Sequence, residues 1–148
     1  MFQIRFVHAP IRVGLRIAAF GLAFFPIATA CSESPPSPSL VKAGEERFQQ
    51  YCSSCHGNDA KGNGPASRAL RVAPPDLTGI AARRGGTFPS ADIAKFVDGR
   101  SELAAHGSRE MPIWGKTFQD KYGSGDIADS AVQGDIVVLI EYLRSIQE

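Results

Sequence analysis

Hydrophobic positions are spread unevenly along this chain, and their spacing changes character three times. Residues 17–27 (IAAFGLAFFPI) form an unbroken apolar run. From Leu40 to Tyr51 (LVKAGEERFQQY), Lys, Ala, Glu, Arg and Gln dominate and proline is absent, which favours helix. Within and just after that stretch Gly44, Phe48 and Cys52 recur every fourth residue and so share one helical face. The far end repeats the helical period more strongly: Asp135 to Gln147 places Ile136, Leu139, Ile140, Leu143 and Ile146 in one amphipathic stripe. Ser130, with Gln133 three residues on, reads as a capping box for this helix, although Gly134 weakens its first turns and points to a start nearer Asp135. A shorter helix is expected over residues 90–97 (SADIAKFV), with Ser90 as cap, Ile93, Phe96 and Val97 facing inward and Gly99 past its end.

Between these segments the pattern is polar and rich in turn formers. Residues 57–65 (GNDAKGNGP) read as loop. A short helix is allowed over 66–72, and the double proline Pro74-Pro75 then denies helix and imposes a rigid extended run. Residues 119–129 read as a surface loop before the last helix. A glycine inside a helix costs about 1 kcal/mol against alanine unless something approaches closely. A C-terminal helix crossing over Gly44, with Tyr142 and Leu143 meeting Gly44 and Phe48, would account for it. The expected fold class is all-α: crossing N- and C-terminal helices plus one or two short helices and long loops.

The apolar run changes the domain picture. It follows Arg5, Arg12 and Arg16 with no acidic residue, and Ala28-Thr29-Ala30 closes it as a small-residue cleavage pattern. It is shorter than the roughly 20 residues of a spanning helix. Residues 1–30 are therefore read as a signal peptide, with a membrane anchor as the competing reading. Cys31 directly after Ala-Thr-Ala resembles the lipid-attachment cysteine of bacterial lipoproteins; the alternative is ordinary cleavage that leaves a stray thiol. Residues 31–39 read as a Pro/Ser-rich tether and residues 40–148 as one domain. Removing the three leader arginines leaves 13 basic residues against 15 acidic ones, a formal charge of −2. That balance argues against nucleic acid as a partner.

The chemistry concentrates in Cys52-Ser53-Ser54-Cys55-His56-Gly57. Two thiols three residues apart, followed at once by an imidazole, form the attachment sequence for a covalent c-type haem. One turn of backbone lets Cys52 and Cys55 reach the two vinyl groups on one porphyrin edge, and His56 then lies beneath the iron as an axial ligand. A ligating histidine normally donates its other N–H to a fixed acceptor. The Pro75 carbonyl is the candidate, with Leu77 packing on the porphyrin; a proline-stiffened surface loop is the plainer reading. For the sixth ligand, Met111 is the one methionine beyond the leader, and Pro112 restricts its backbone. His106 is its rival. Arg83 and Arg84 could clamp haem propionates or simply be solvated, and Trp114 could face the haem edge or be a core aromatic.

Taken together, Cys52 to Gly57, Pro75-Asp76-Leu77-Thr78-Gly79 and Met111-Pro112-Ile113-Trp114-Gly115 resemble the class I, mono-haem c-type cytochromes of bacteria. The resemblance covers about residues 40–147. It implies thioether bonds at Cys52 and Cys55, iron ligation by His56 and Met111, and an acceptor role for the Pro75 carbonyl. It also implies one haem c, helices that cross at Gly44 and Phe48 near Tyr142, and an exported, periplasmic protein. The chain departs from small members in the extended loop before Pro75 and the polar stretch at 119–129.

The function this implies is one-electron transfer, with transient docking of redox proteins at an exposed haem edge and membrane association through a lipidated Cys31. A haem-bearing subunit of a dehydrogenase or oxidase is the alternative. A haem enzyme or gas sensor would need Met111 displaced, and a thiol–disulfide or zinc site would need a second ligand pair that the sequence does not supply.

Overall fold

Two helices packed across each other set the frame. The computed structural model describes residues 34–100 and 111–148, so the leader, Cys31 and His106 lie outside the described residues. Helix α1 runs Pro38–Tyr51, α2 Ser53–His56, α3 Ile80–Arg83, α4 Ser90–Asp98, α5 Trp114–Tyr122 and α6 Asp126–Ser145, with a 3-10 turn at Ser67–Ala69. Among the described residues the architecture is all-helical, in agreement with the expected class. None of these helices is long and apolar enough to cross a membrane.

The crossing of α1 and α6 is the largest helix interface. It is permitted by Gly44, which is buried and lies against the α6 backbone: a Cβ there would collide with the Val138 carbonyl oxygen and stand 2.7 Å from Tyr142 Cβ. One turn on, Phe48 is fully buried and its ring centroid lies 5.2 Å from that of Tyr142. Val132, Ile136, Leu139, Ile140 and Leu143 form the inner stripe of α6 in the core, which Ile80, Phe88, Val97 and Phe118 extend from other segments. A buried polar tie reinforces the frame. Asp135 accepts from Arg47 Nε at 2.7 Å and from the Tyr122 hydroxyl at 2.8 Å, joining α1, α5 and α6. Its partner Arg47 is held charged, its pKa raised above the ordinary value first by this hydrogen bond.

Several expected boundaries move. Helix α1 begins two residues early, so Pro38 and Ser39 belong to it rather than to the tether; proline suits a first helical turn, where its missing N–H costs no bond. The 66–72 segment forms only the short 3-10 turn. Ser90 is the first residue of α4 and makes no side-chain cap bond, and Phe96 stays exposed, although Val97 is buried.

The largest correction lies at 119–129, expected as a surface loop. Helix α5 runs through Tyr122 and buries Phe118 completely, and α6 already starts at Asp126, leaving three residues between them. Ser130 is therefore not a cap. It sits inside α6 and returns its hydroxyl to the Asp126 carbonyl at 2.8 Å, while Asp126 and Asp129 place negative charge at the positive end of the helix. A lost N-cap would cost about 1 kcal/mol. With Ser130 in mid-helix, Ser130→Ala is expected to change stability by less than about 0.5 kcal/mol. Guanidinium unfolding distinguishes the two.

Candidate haem site

The Cys-Ser-Ser-Cys-His stretch forms one further helical turn after α1. Cys52 closes α1 by donating its N–H to Phe48 O at 2.8 Å, and His56 N reaches Cys52 O at 2.9 Å. The glycine-rich loop that follows wraps back over this turn: Gly62 N donates to His56 O at 2.7 Å, Gly64 N to Cys55 O at 3.1 Å and Ala66 N to Ser54 O at 2.9 Å. These bonds satisfy carbonyls that a four-residue helix leaves open. A side chain at Gly62 would run into the Pro74 carbonyl, so the same loop also presses on the proline run.

That run is fixed from both ends. Leu77 N donates to Ala60 O at 2.8 Å, and the Asp76 carboxylate accepts from Thr78 N at 2.8 Å and Thr78 Oγ1 at 2.7 Å. These bonds are the first cause of a pKa for Asp76 below the ordinary carboxylate value. Gln147, a residue that sequence reasoning passed over, completes the hold from the end of the chain. Its amide nitrogen donates to Leu77 O at 3.0 Å and its oxygen accepts from Ala81 N at 2.9 Å.

Between these walls lies an apolar cavity of about 710 Å³, within the range of about 300–1,000 Å³ that holds a bound organic group. Cys52, Cys55 and His56 line it from the turn, Pro75 and Leu77 from the proline run, Met111 from just before α5 and Trp114 from its first residue. The structure thus brings together the described residues singled out from sequence, on three separate elements. Leu139 and Leu143 of α6 close it from the core. Arg83 and Arg84 also line it, joined by Arg71, and among the described residues no carboxylate does. Arg83 is partly engaged already, donating to the Asp76 carbonyl. Trp114 lines the cavity, and its ring lies 5.7 Å from that of Tyr51 and 6.0 Å from that of Phe118.

The donors behave as parts of an apolar site. Burial pushes the Cys52 thiol up to about 12, with the Cys55 charge a smaller cause, so it stays protonated rather than acting as a reactive thiolate. Burial likewise lowers the His56 pKa, opposed by the Pro75 backbone. His56 Nδ1 is buried and completes no hydrogen bond, so the Pro75 carbonyl is close enough to act on the ring without meeting full hydrogen-bond geometry. Among the described residues no cluster of three or more His, Cys, Asp or Glu side chains is placed to hold a bare metal ion. Two thiols, an imidazole and a thioether converging on an apolar cavity fit a haem attached through its vinyl groups, and fit zinc poorly.

An all-helical domain with a Cys-x-x-Cys-His turn opening onto such a cavity is a c-type cytochrome domain, which carries covalently bound haem c. The family model described as cytochrome c oxidase, cbb3-type, subunit III matches residues 39–123, more than half of the chain, and the chain belongs to that family. Among curated proteins, the cbb3-type cytochrome c oxidase subunit FixP of Sinorhizobium medicae (strain WSM419) is 50% identical over 32 residues, 22% of this chain and 11% of that protein. FixP of Rhizobium meliloti (strain 1021) matches at the same identity and over the same shares. The chain therefore aligns with about a tenth of the length of these relatives. No solved structure matches the chain.

Proposed function

We propose that the chain carries single electrons through one haem c, bonded to Cys52 and Cys55 and ligated by His56 and Met111. The observation that carries this reading is the meeting of those four side chains at one apolar cavity. Haem c supplies Fe(III)/Fe(II) cycling, and a methionine–histidine ligand pair raises its potential. The chain's own part is to hold and insulate. The Pro75 carbonyl, already close enough to act on the His56 ring, would accept its N–H and so orient the imidazole. Pro112 limits where the Met111 sulfur points. Leu77, Leu139 and Leu143 exclude water, and Arg83 and Arg84 offer cationic partners to the propionates. With His56 and Met111 both holding the iron, no position would be left for a substrate, and the chemistry supplied would be one-electron exchange with briefly docked redox proteins.

The family match and the FixP relatives favour a second arrangement: the same domain working as the haem-bearing subunit of an oxidase rather than as a free shuttle. Isolation in mild detergent separates the two readings, since a subunit travels with a larger complex. Residues 1–30 as export signal and a lipidated Cys31 complete the reading: a periplasmic domain tied to the membrane.

One experiment tests the core of it. Purified mature protein should have the mass of the chain from Cys31 plus one haem and an acyl increment, and a low-spin spectrum in both redox states. Rapid carbon monoxide binding by the reduced protein would refute stable Met111 ligation, and a mass without the acyl increment would remove the anchor.

A further inference from the structure

Where α4 ends, a charged fork sits against the start of α5. Asp98, the last residue of α4, accepts from Arg100 Nε at 2.6 Å and Nη2 at 3.0 Å, a bidentate pair. Gly99 between them turns the chain with φ 65°, and Gly115 is packed on the fork: a side chain there would collide with Asp98 Oδ1 and stand 2.8 Å from Arg100 Nε. The fork reaches α6 as well, through Arg100 Nη1 to Asp129 Oδ1 at 3.3 Å and Gln133 Nε2 to Asp98 Oδ2 at 3.5 Å. Both charged side chains are largely covered, at 20% and 27% exposure, so the pair is screened less than a surface bridge. Asp98 is held below the ordinary carboxylate pKa, first by the Arg100 hydrogen bond.

We infer that the Asp98–Arg100 fork, with Gly115 laid against it, is a positioning device that sets the Met111 sulfur relative to the cavity. Met111 lies four residues before Gly115, across the restricted Met111-Pro112 step and the first turn of α5. Fixing Gly115 against the end of α4 fixes the root from which Met111 projects. Neither charged residue lines the cavity, so the effect passes through backbone placement alone. The inference rests on the assignment of Met111 as axial ligand.

The test uses the oxidised holoprotein and added imidazole, which competes for the methionine position. Asp98→Asn and Arg100→Lys each break the bidentate fork while keeping similar volume. Both are expected to weaken the long-wavelength methionine–iron band and to raise the apparent imidazole affinity about tenfold, the change that about 1.4 kcal/mol of lost preference produces. Asp135→Asn, which loosens the separate α1–α5–α6 tie, is the control for general destabilisation and should leave imidazole affinity unchanged. If all three variants shift alike, or if both fork variants bind imidazole as the parent does, the positioning role is overturned. If the parent protein itself lacks the methionine–iron band, the Met111 assignment fails and the inference falls with it.

Discussion

Met111→Ala is expected to abolish the six-coordinate low-spin spectrum while leaving the haem covalently attached, with fast, stoichiometric carbon monoxide binding where the parent shows almost none. The two halves of this result have different causes. The proposed attachment is through Cys52 and Cys55, in the turn after α1 that backbone bonds from the 57–66 loop hold. The proposed sixth ligand is instead a sulfur from the other side of the sequence, just before α5. Alanine offers no donor, and no other methionine remains beyond Met1 in the leader. Stability should fall less than the spectrum suggests. Full burial of a methionine is worth about 2–5 kcal/mol against alanine, and Met111 is only half-buried, so a loss of about 2 kcal/mol or less is expected. A low-spin spectrum that survives the change would transfer the sixth position to His106 or another group.

The parts of this site that could be read directly are those in which chemistry ties residues at fixed short spacing. Cys52, Cys55 and His56 are legible because one turn of backbone is all that their task allows. The helix crossing was legible because Gly44 and the Ile136–Leu143 stripe imply each other: a buried small residue on one helix needs a close neighbour. The α5–α6 boundary was misread although its apolar positions were present. Trp114, Phe118 and Tyr122 recur every four residues, and Ala128, Val132 and Ile136 extend the last stripe upstream. Asp126, Asp129, Ser130 and Gly134 between them look like loop residues, yet each occupies an exposed position on a helix whose other face is buried. Tertiary burial outweighed local propensity there. Asp135, near which the last helix was expected to start, instead lies inside α6 and buried, its carboxylate satisfied by Arg47 and Tyr122. Gln147 and the Asp98–Arg100 fork carry no local signature, because their partners are chosen by the fold.

The same substitution at two helical glycines should move stability in opposite directions, and the contrast tests the frame that holds the site. Gly134 in α6 has open space around the position of a Cβ. Gly134→Ala should therefore gain the helix-propensity difference, about 1 kcal/mol. Gly44→Ala gains the same intrinsic term but must place its methyl group where the Val138 carbonyl oxygen and Tyr142 Cβ already stand. Neither neighbour is the flexible end of a side chain, so relief requires α1 and α6 to separate. Overpacking of this kind costs about 1–3 kcal/mol and sometimes more, and a rigid backbone contact belongs at the upper end. A net loss of about 2 kcal/mol follows. Phe48, Leu139 and Leu143 lie on the same faces and also line the haem cavity, so separation loosens the wall behind the haem as well. Guanidinium unfolding of the two holoproteins, followed by far-ultraviolet circular dichroism, should show midpoints on either side of the parent's. Equal shifts of one sign would mean that α1 and α6 do not meet at Gly44.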